Sequence, residues 1–117
     1  MSTEAPKSSL TYLADMVDCI NKIFAYTEGL SLEQFCKDKK TVDSVCFNLA
    51  VLGEAANKVS AEQQQAIGNV PWRKMISTRN KLIHGYAAID DELIWDIVKT
   101  DLPNLSRTLA CALNLEP

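Results

Sequence analysis

The chain has few of the residues that metal sites and phosphate-binding loops require. It contains a single histidine, and none of its four glycines belongs to a glycine-rich phosphate loop. The four cysteines form no CxxC pair and do not have the spacing of zinc ligands. We therefore expect neither a metal nor a cofactor, and we interpret the cysteines as small, buried or half-buried hydrophobic side chains. They are Cys19, Cys36, Cys46 and Cys111.

The sequence also lacks a long hydrophobic run. No stretch approaches the roughly 20 apolar residues of a membrane helix, and the first residues lack the basic-then-apolar order of a signal peptide. With 117 residues, 47% apolar and 23% charged, the composition is that of a globular protein. We expect a cytosolic protein without membrane contact, a single domain over 1–117 in which about residues 1–8 form a flexible tail.

A basic excess is absent as well, since the net charge is −3. However, no acidic residue occurs between Glu62 and Asp90, and this interval holds four cations. Such a local positive zone can bind a polyanion such as RNA on a body that is otherwise acidic. The alternative is an ordinary solvated helix face. The four cations are Arg73, Lys74, Arg79 and Lys81.

Apolar residues recur at helical spacing along almost the whole chain, and no strand alternation is present. The spacing predicts long helices over about 9–26, 41–59, 71–84 and 90–113, and Pro103 should kink or interrupt the last one. Caps at Ser31 and Ser60 predict two short helices. Short connections favour an all-α, antiparallel up-and-down bundle of four main helices.

The second long helix carries two apolar stripes, so we expect it to be the central helix and to be covered on more than one side. One stripe includes Phe47 and Val51, and Glu54 lies on it among apolar neighbours. On the third helix, Arg79 occupies the position that would complete the apolar stripe. A guanidinium placed there needs an anion. A structural Arg79–Glu54 ion pair is one explanation.

The only histidine, His84, comes five residues after Arg79 and directly before Gly85, which we expect to end the helix. The helix C-terminus favours a protonated imidazole, and histidine changes charge near neutral pH, so His84 suits proton transfer. Five residues place it about 140° around the helix from Arg79, whereas Asn80 lies on its face. The alternatives are a helix-capping histidine and, for Tyr86, a half-buried aromatic side chain that closes the bundle end.

The spacing of Arg79, His84 and Tyr86 resembles the signature of HEPN ribonucleases. The surrounding 70–73 and 83–86 segments resemble the HepT branch of this superfamily, the toxin of MntA-HepT systems. Further similarity lies in 26–31, in 48–56 and in 95–103, so that it covers about residues 10–113.

The resemblance implies a homodimer of helical bundles that cleaves RNA without a metal. In it, Arg79 clamps the phosphate, His84 assists attack of the ribose 2′-hydroxyl, and Asn80 orients the histidine or the phosphate. Tyr86 resembles the tyrosine to which an MntA-like nucleotidyltransferase antitoxin transfers AMP. Some members of the superfamily are instead non-catalytic helical partners of minimal nucleotidyltransferases. This is the alternative function.

Overall fold

The computed structural model describes residues 8–85 and 89–114, and over these ranges the chain is α-helical without strands. This confirms the predicted all-α class. In chain order the helices are α1 (Ser9–Thr27), α2 (Leu32–Lys37), α3 (Lys39–Lys58), α4 (Ala61–Ala66), α5 (Trp72–His84), α6 (Asp91–Asp96) and, after a π-helical segment, α7 (Leu102–Ala112). The expected flexible tail lies outside the described residues except for Ser8, which caps α1.

Polar side chains begin most of these helices because they bind amide groups that have no partner within the helix. Ser31 and Gln34 form the predicted capping box at α2. Asp38 caps α3 and accepts bonds from the amide and the hydroxyl of Thr41, which lower the pKa of its carboxyl group. Ser60 caps α4 as the sequence predicts.

The hydrophobic core lies between α3 and its neighbours. α3 packs along both α1 and α5, as expected for the central helix. Its fully buried residues include Val45, Leu49 and Leu52, and α1 contributes Leu13 and Ile20 to the same cluster. At the far side, the Phe35 and Trp95 rings lie 5.0 Å apart and join α2 to α6.

The second apolar stripe of α3 corrects one expectation. Ala55 of this stripe is buried, but Phe47 is 68% exposed and Val51 is 38% exposed, so the described residues cover only part of this side of the helix. Apolar spacing predicts where hydrophobic side chains lie on a helix, but it does not reveal whether the same chain covers them.

The positions of two prolines in the helices differ slightly from those that the sequence predicts. Pro71 is the N-cap of α5 rather than its first helical residue. Pro103 lies within α7 and does not break the last helix, but a π-helical segment, Ile97–Asp101, ends two residues before it. Because proline has no amide hydrogen, the carbonyl group four residues earlier loses its helical donor. The helix widens in the turn before Pro103, where the amide of Leu102 bonds to the carbonyl of Ile97.

The cysteines are buried at positions 19 and 46, half-buried at 36 and exposed at 111. The predicted burial is therefore wrong for Cys111. Burial raises the pKa of the Cys46 thiol to about 11, in keeping with a hydrophobic role. Among the described residues no cluster of three metal-ligating side chains occurs, and no helix is long and apolar enough to cross a bilayer.

Candidate active site at the contact of α3 and α5

Arg79 lies at a close approach of α3 and α5. A Cβ atom at Gly53 would lie 2.6 Å from the carbonyl oxygen of Met75 and even closer to the Cβ atom of Arg79. Only glycine leaves room for this approach. Gly53 therefore lets the stem of Arg79 pack directly on the backbone of α3.

The guanidinium of Arg79 has partners on both sides. Its Nη2 atom lies 2.9 Å from Oε2 of Glu54, and its Nη1 atom donates a 2.8 Å hydrogen bond to Oδ1 of Asn80. Lys58 lies 3.5 Å from the other carboxylate oxygen of Glu54. The ion pair expected from the two apolar stripes is therefore present, and the Arg79 side chain keeps 28% exposure.

The other cations of the positive zone are in different environments. Lys74 pairs with Asp101 at 2.5 Å, so part of its charge is compensated by the last helix. Arg73 and Lys81 are exposed. Since Arg79 also has an acidic partner, Arg73 and Lys81 are the cations of this zone for which the described residues show no ion pair.

His84 is the last residue of α5. The helix ends there because Gly85 follows, with its amide bonded to the carbonyl group of Lys81. The histidine is exposed and lines an open groove of about 470 Å³, together with Asn80 and Lys81. Asn80 and His84 therefore share one face of α5, as their spacing predicts.

Arg79 is not among the described residues that line this groove. α5 is a continuous α-helix from Trp72 to His84, so Arg79 and His84 point about 140° apart around its axis. Asn80 touches both environments, because it accepts a bond from Arg79 and lines the groove beside His84. One chain thus presents the cation and the imidazole on different sides of the same helix.

Exposed apolar side chains lie beside Arg79. Phe47 and Val51 precede Glu54 on one face of α3, and Ile83, which is 52% exposed, follows Arg79 by one turn of α5. Phe47 and Ile83 line a common cleft between the two helices. We call Phe47, Val51 and Ile83 the apolar face; it is continuous with the Arg79–Glu54 pair.

The sequence of the chain matches a known protein family. The model of the family described as "Ribonuclease HepT-like" matches residues 16–112 and thus covers α3, α5 and the whole site. The chain belongs to the HepT-like ribonuclease family. The prediction of this family from the Arg79, His84 and Tyr86 spacing is confirmed, and membership supports a ribonuclease role at the level of the family.

Curated relatives match over most of their length. "Probable ribonuclease HepT" of Thermococcus cleftensis is 35% identical, over 85% of this chain and 90% of the relative. "Putative RNase MJ0127" of Methanocaldococcus jannaschii is 37% identical, over 85% of this chain and 83% of the relative. "Putative RNase MJ1380" of the same organism is 32% identical, over 82% and 88%. No solved structure matches the chain.

Sequence reasoning missed Gly53, which belongs to this HepT-like site. Gly53 gave no signal as a contact partner, because a glycine within a helix does not reveal which side chain packs on it. The roles predicted for Arg79, Asn80 and His84 stay predictions, although their positions are now known. Tyr86 lies outside the described residues.

We predict that Gly53→Ala destabilises this HepT-like chain by about 1–3 kcal/mol, because the added methyl group overpacks the contact of α3 and α5. Denaturant unfolding followed by circular dichroism measures the loss. Gly68→Ala is the matched control, since nothing lies within 4 Å of a Cβ atom there. Equal stability of the two variants would contradict the close packing at Gly53.

Proposed function

We propose that the protein is a metal-independent endoribonuclease that acts as a homodimer and as the toxin of a toxin-antitoxin pair. Family membership supports the ribonuclease activity. The proposed homodimer is supported by one observation: Arg79 and His84 lie on different sides of α5. A single chain does not present both groups to one phosphate, whereas two chains related by a twofold axis do.

The apolar face supports this arrangement. Phe47, Val51 and Ile83 are between 38% and 68% exposed and adjoin the Arg79–Glu54 pair. A second copy that packs on this face in a twofold interface buries these side chains against their own equivalents. It also brings the His84 end of one α5 toward Arg79 of the other, so that each cleft takes residues from both subunits.

In this cleft the guanidinium of Arg79 binds the non-bridging oxygens of the scissile phosphate and stabilises the charge that develops in the transition state. The ribose 2′-oxygen attacks phosphorus, and the bond to the 5′-oxygen breaks. The products are a 2′,3′-cyclic phosphate and a 5′-hydroxyl group. His84 transfers a proton at the attacking or leaving oxygen, and Asn80 aligns the two groups. Arg73 and Lys81 bind flanking phosphates.

The same proposal includes the antitoxin. Tyr86 follows the end of α5 by two residues, so its phenol is close in sequence to His84. A partner nucleotidyltransferase transfers AMP from ATP to the phenol oxygen and releases pyrophosphate and a proton. The added negative charge and bulk, two residues after His84 in the sequence, repel RNA. The toxin is thereby silenced.

We predict that the wild-type protein cuts RNA in EDTA and that His84→Ala does not. Arg79→Ala lowers kcat by about 10²- to 10³-fold, the loss typical of a removed oxyanion donor. Arg79→Lys is also impaired, because a point charge does not replace the planar fork of donors. Single-turnover cleavage of a labelled RNA measures these rates.

If the wild-type protein cuts RNA no faster than His84→Ala, the hypothesis of an endoribonuclease is wrong. The non-catalytic partner of a nucleotidyltransferase then becomes the better description. Arg107→Ala serves as the control, since this exposed arginine of α7 bonds to Asn104 and lies outside the positive zone. Its rate should equal that of the wild type.

We predict that each active site needs both subunits, which pairs of differently tagged subunits can test. A heterodimer of Arg79→Ala with His84→Ala holds one intact composite cleft and should have about half of the wild-type rate. A heterodimer of wild type with the double variant holds no intact cleft and should be inactive. Sites contained within single subunits would give the opposite pair of results.

We predict that co-expression with the cognate nucleotidyltransferase increases the mass of the protein by one AMP group. Intact mass spectrometry detects the shift, and RNA cleavage falls in proportion to the modified fraction. Tyr86→Phe removes the acceptor oxygen and should keep its unmodified mass. A shift that persists in Tyr86→Phe would place the modification elsewhere, and an unshifted wild type would reject the antitoxin chemistry.

A further inference from the structure

We propose that Glu54 is a positioning residue that fixes the guanidinium of Arg79 in the orientation in which it receives the phosphate. This inference rests on the proposed ribonuclease function. It assigns to the Arg79–Glu54 pair a role in the rate of cleavage in addition to any role in folding.

The contacts favour positioning over a stability role. The Arg79 and Glu54 side chains are 28% and 40% exposed, and ion pairs so close to water contribute little to the free energy of folding. A free arginine side chain has about 2 kcal/mol of rotamer entropy. Gly53 holds the stem of Arg79, Glu54 holds Nη2 and Asn80 holds Nη1. The guanidinium is therefore oriented before any RNA binds.

The guanidinium still has donors for a phosphate. It carries five N–H bonds, of which one on Nη1 donates to Asn80, while Nη2 lies in an ion pair with Glu54. The Nε atom is buried without a partner among the described residues, so the free donors that reach solvent are the remaining hydrogens of the Nη atoms. Their fixed direction selects how a phosphate approaches.

The charges around Glu54 reduce the repulsion between its carboxylate and the phosphate. Lys58 lies 3.5 Å from Oε1 of Glu54, whereas Arg79 pairs with Oε2. The three side chains together carry one positive charge. Glu54 can therefore remain bonded to Arg79 when RNA binds, and the carboxylate need not leave to make room for the phosphate.

A competing role for Glu54 makes the opposite prediction. If the carboxylate occupied the phosphate position, its removal would improve RNA binding and increase kcat/KM. If Glu54 positions Arg79, its removal lowers kcat by about 10- to 100-fold, as expected for a displaced catalytic group, and leaves KM nearly unchanged.

The experiment compares Glu54→Ala with Glu54→Gln, which keeps an acceptor oxygen for Nη2. We expect Glu54→Ala to lose kcat and Glu54→Gln to recover most of it. The matched control is Glu33→Ala, which breaks an exposed i,i+4 pair with Lys37 on α2, far from Arg79 in the sequence. Unchanged kcat in Glu54→Ala, or a rise in kcat/KM, would overturn the proposal.

A second readout does not depend on RNA cleavage. The Nη hydrogens of Arg79 should give resolved, slowly exchanging NMR signals in the wild type, assigned by their absence in Arg79→Lys. In Glu54→Ala, rotation of the guanidinium should average these Nη signals into one. In Glu33→Ala they should stay resolved. If they are resolved while the wild type cuts no RNA, the ribonuclease proposal fails but Glu54 still orients Arg79. If they average already in the wild type, Glu54 does not hold the guanidinium.

Discussion

The close approach of α3 and α5 at Gly53 is the constraint on which the site depends. Because no Cβ atom stands between the helices, the stem of Arg79 packs on the α3 backbone and its guanidinium reaches Glu54 one residue further along. A wider spacing would leave the guanidinium mobile in solvent. The site is thus built from rigid helices rather than from a loop, which suits a group that must meet a phosphate in one orientation.

Helical geometry also explains why Arg79 and His84 lie on different sides of one chain. Five residues of continuous α-helix separate Arg79 and His84 by about 140°, and no rotamer change removes this angle. The imidazole lies in the groove with Asn80, while the cation faces α3. The exposed apolar face adjoins Arg79. The proposed second copy would therefore cover this face and bring its His84 to Arg79 at the same place.

Local signals made much of this structure predictable from the sequence. Caps at Ser31 and Ser60 and the apolar periodicity located the helices to within a few residues, since both reflect neighbouring residues. The Arg79–Glu54 pair was predictable because each charge interrupts an apolar stripe. The exposure of Phe47 and the Lys74–Asp101 pair were not, because they depend on which distant segments meet. The roles proposed for the site residues involve a second copy, whose position no local pattern of one chain reveals.

The internal pairing of two cations changes how the positive zone should act on RNA. Glu54 and Asp101 compensate Arg79 and Lys74, which leaves Arg73 and Lys81 as the cations of the zone that have no ion pair among the described residues, on an acidic protein. Few phosphate contacts mean a shallow dependence of affinity on salt and little non-specific binding. Selection of the cleavage site then rests on the oriented guanidinium and on the shape of the cleft, because general attraction to a polyanion is weak. A ribonuclease built this way would recognise where it cuts by geometry more than by charge.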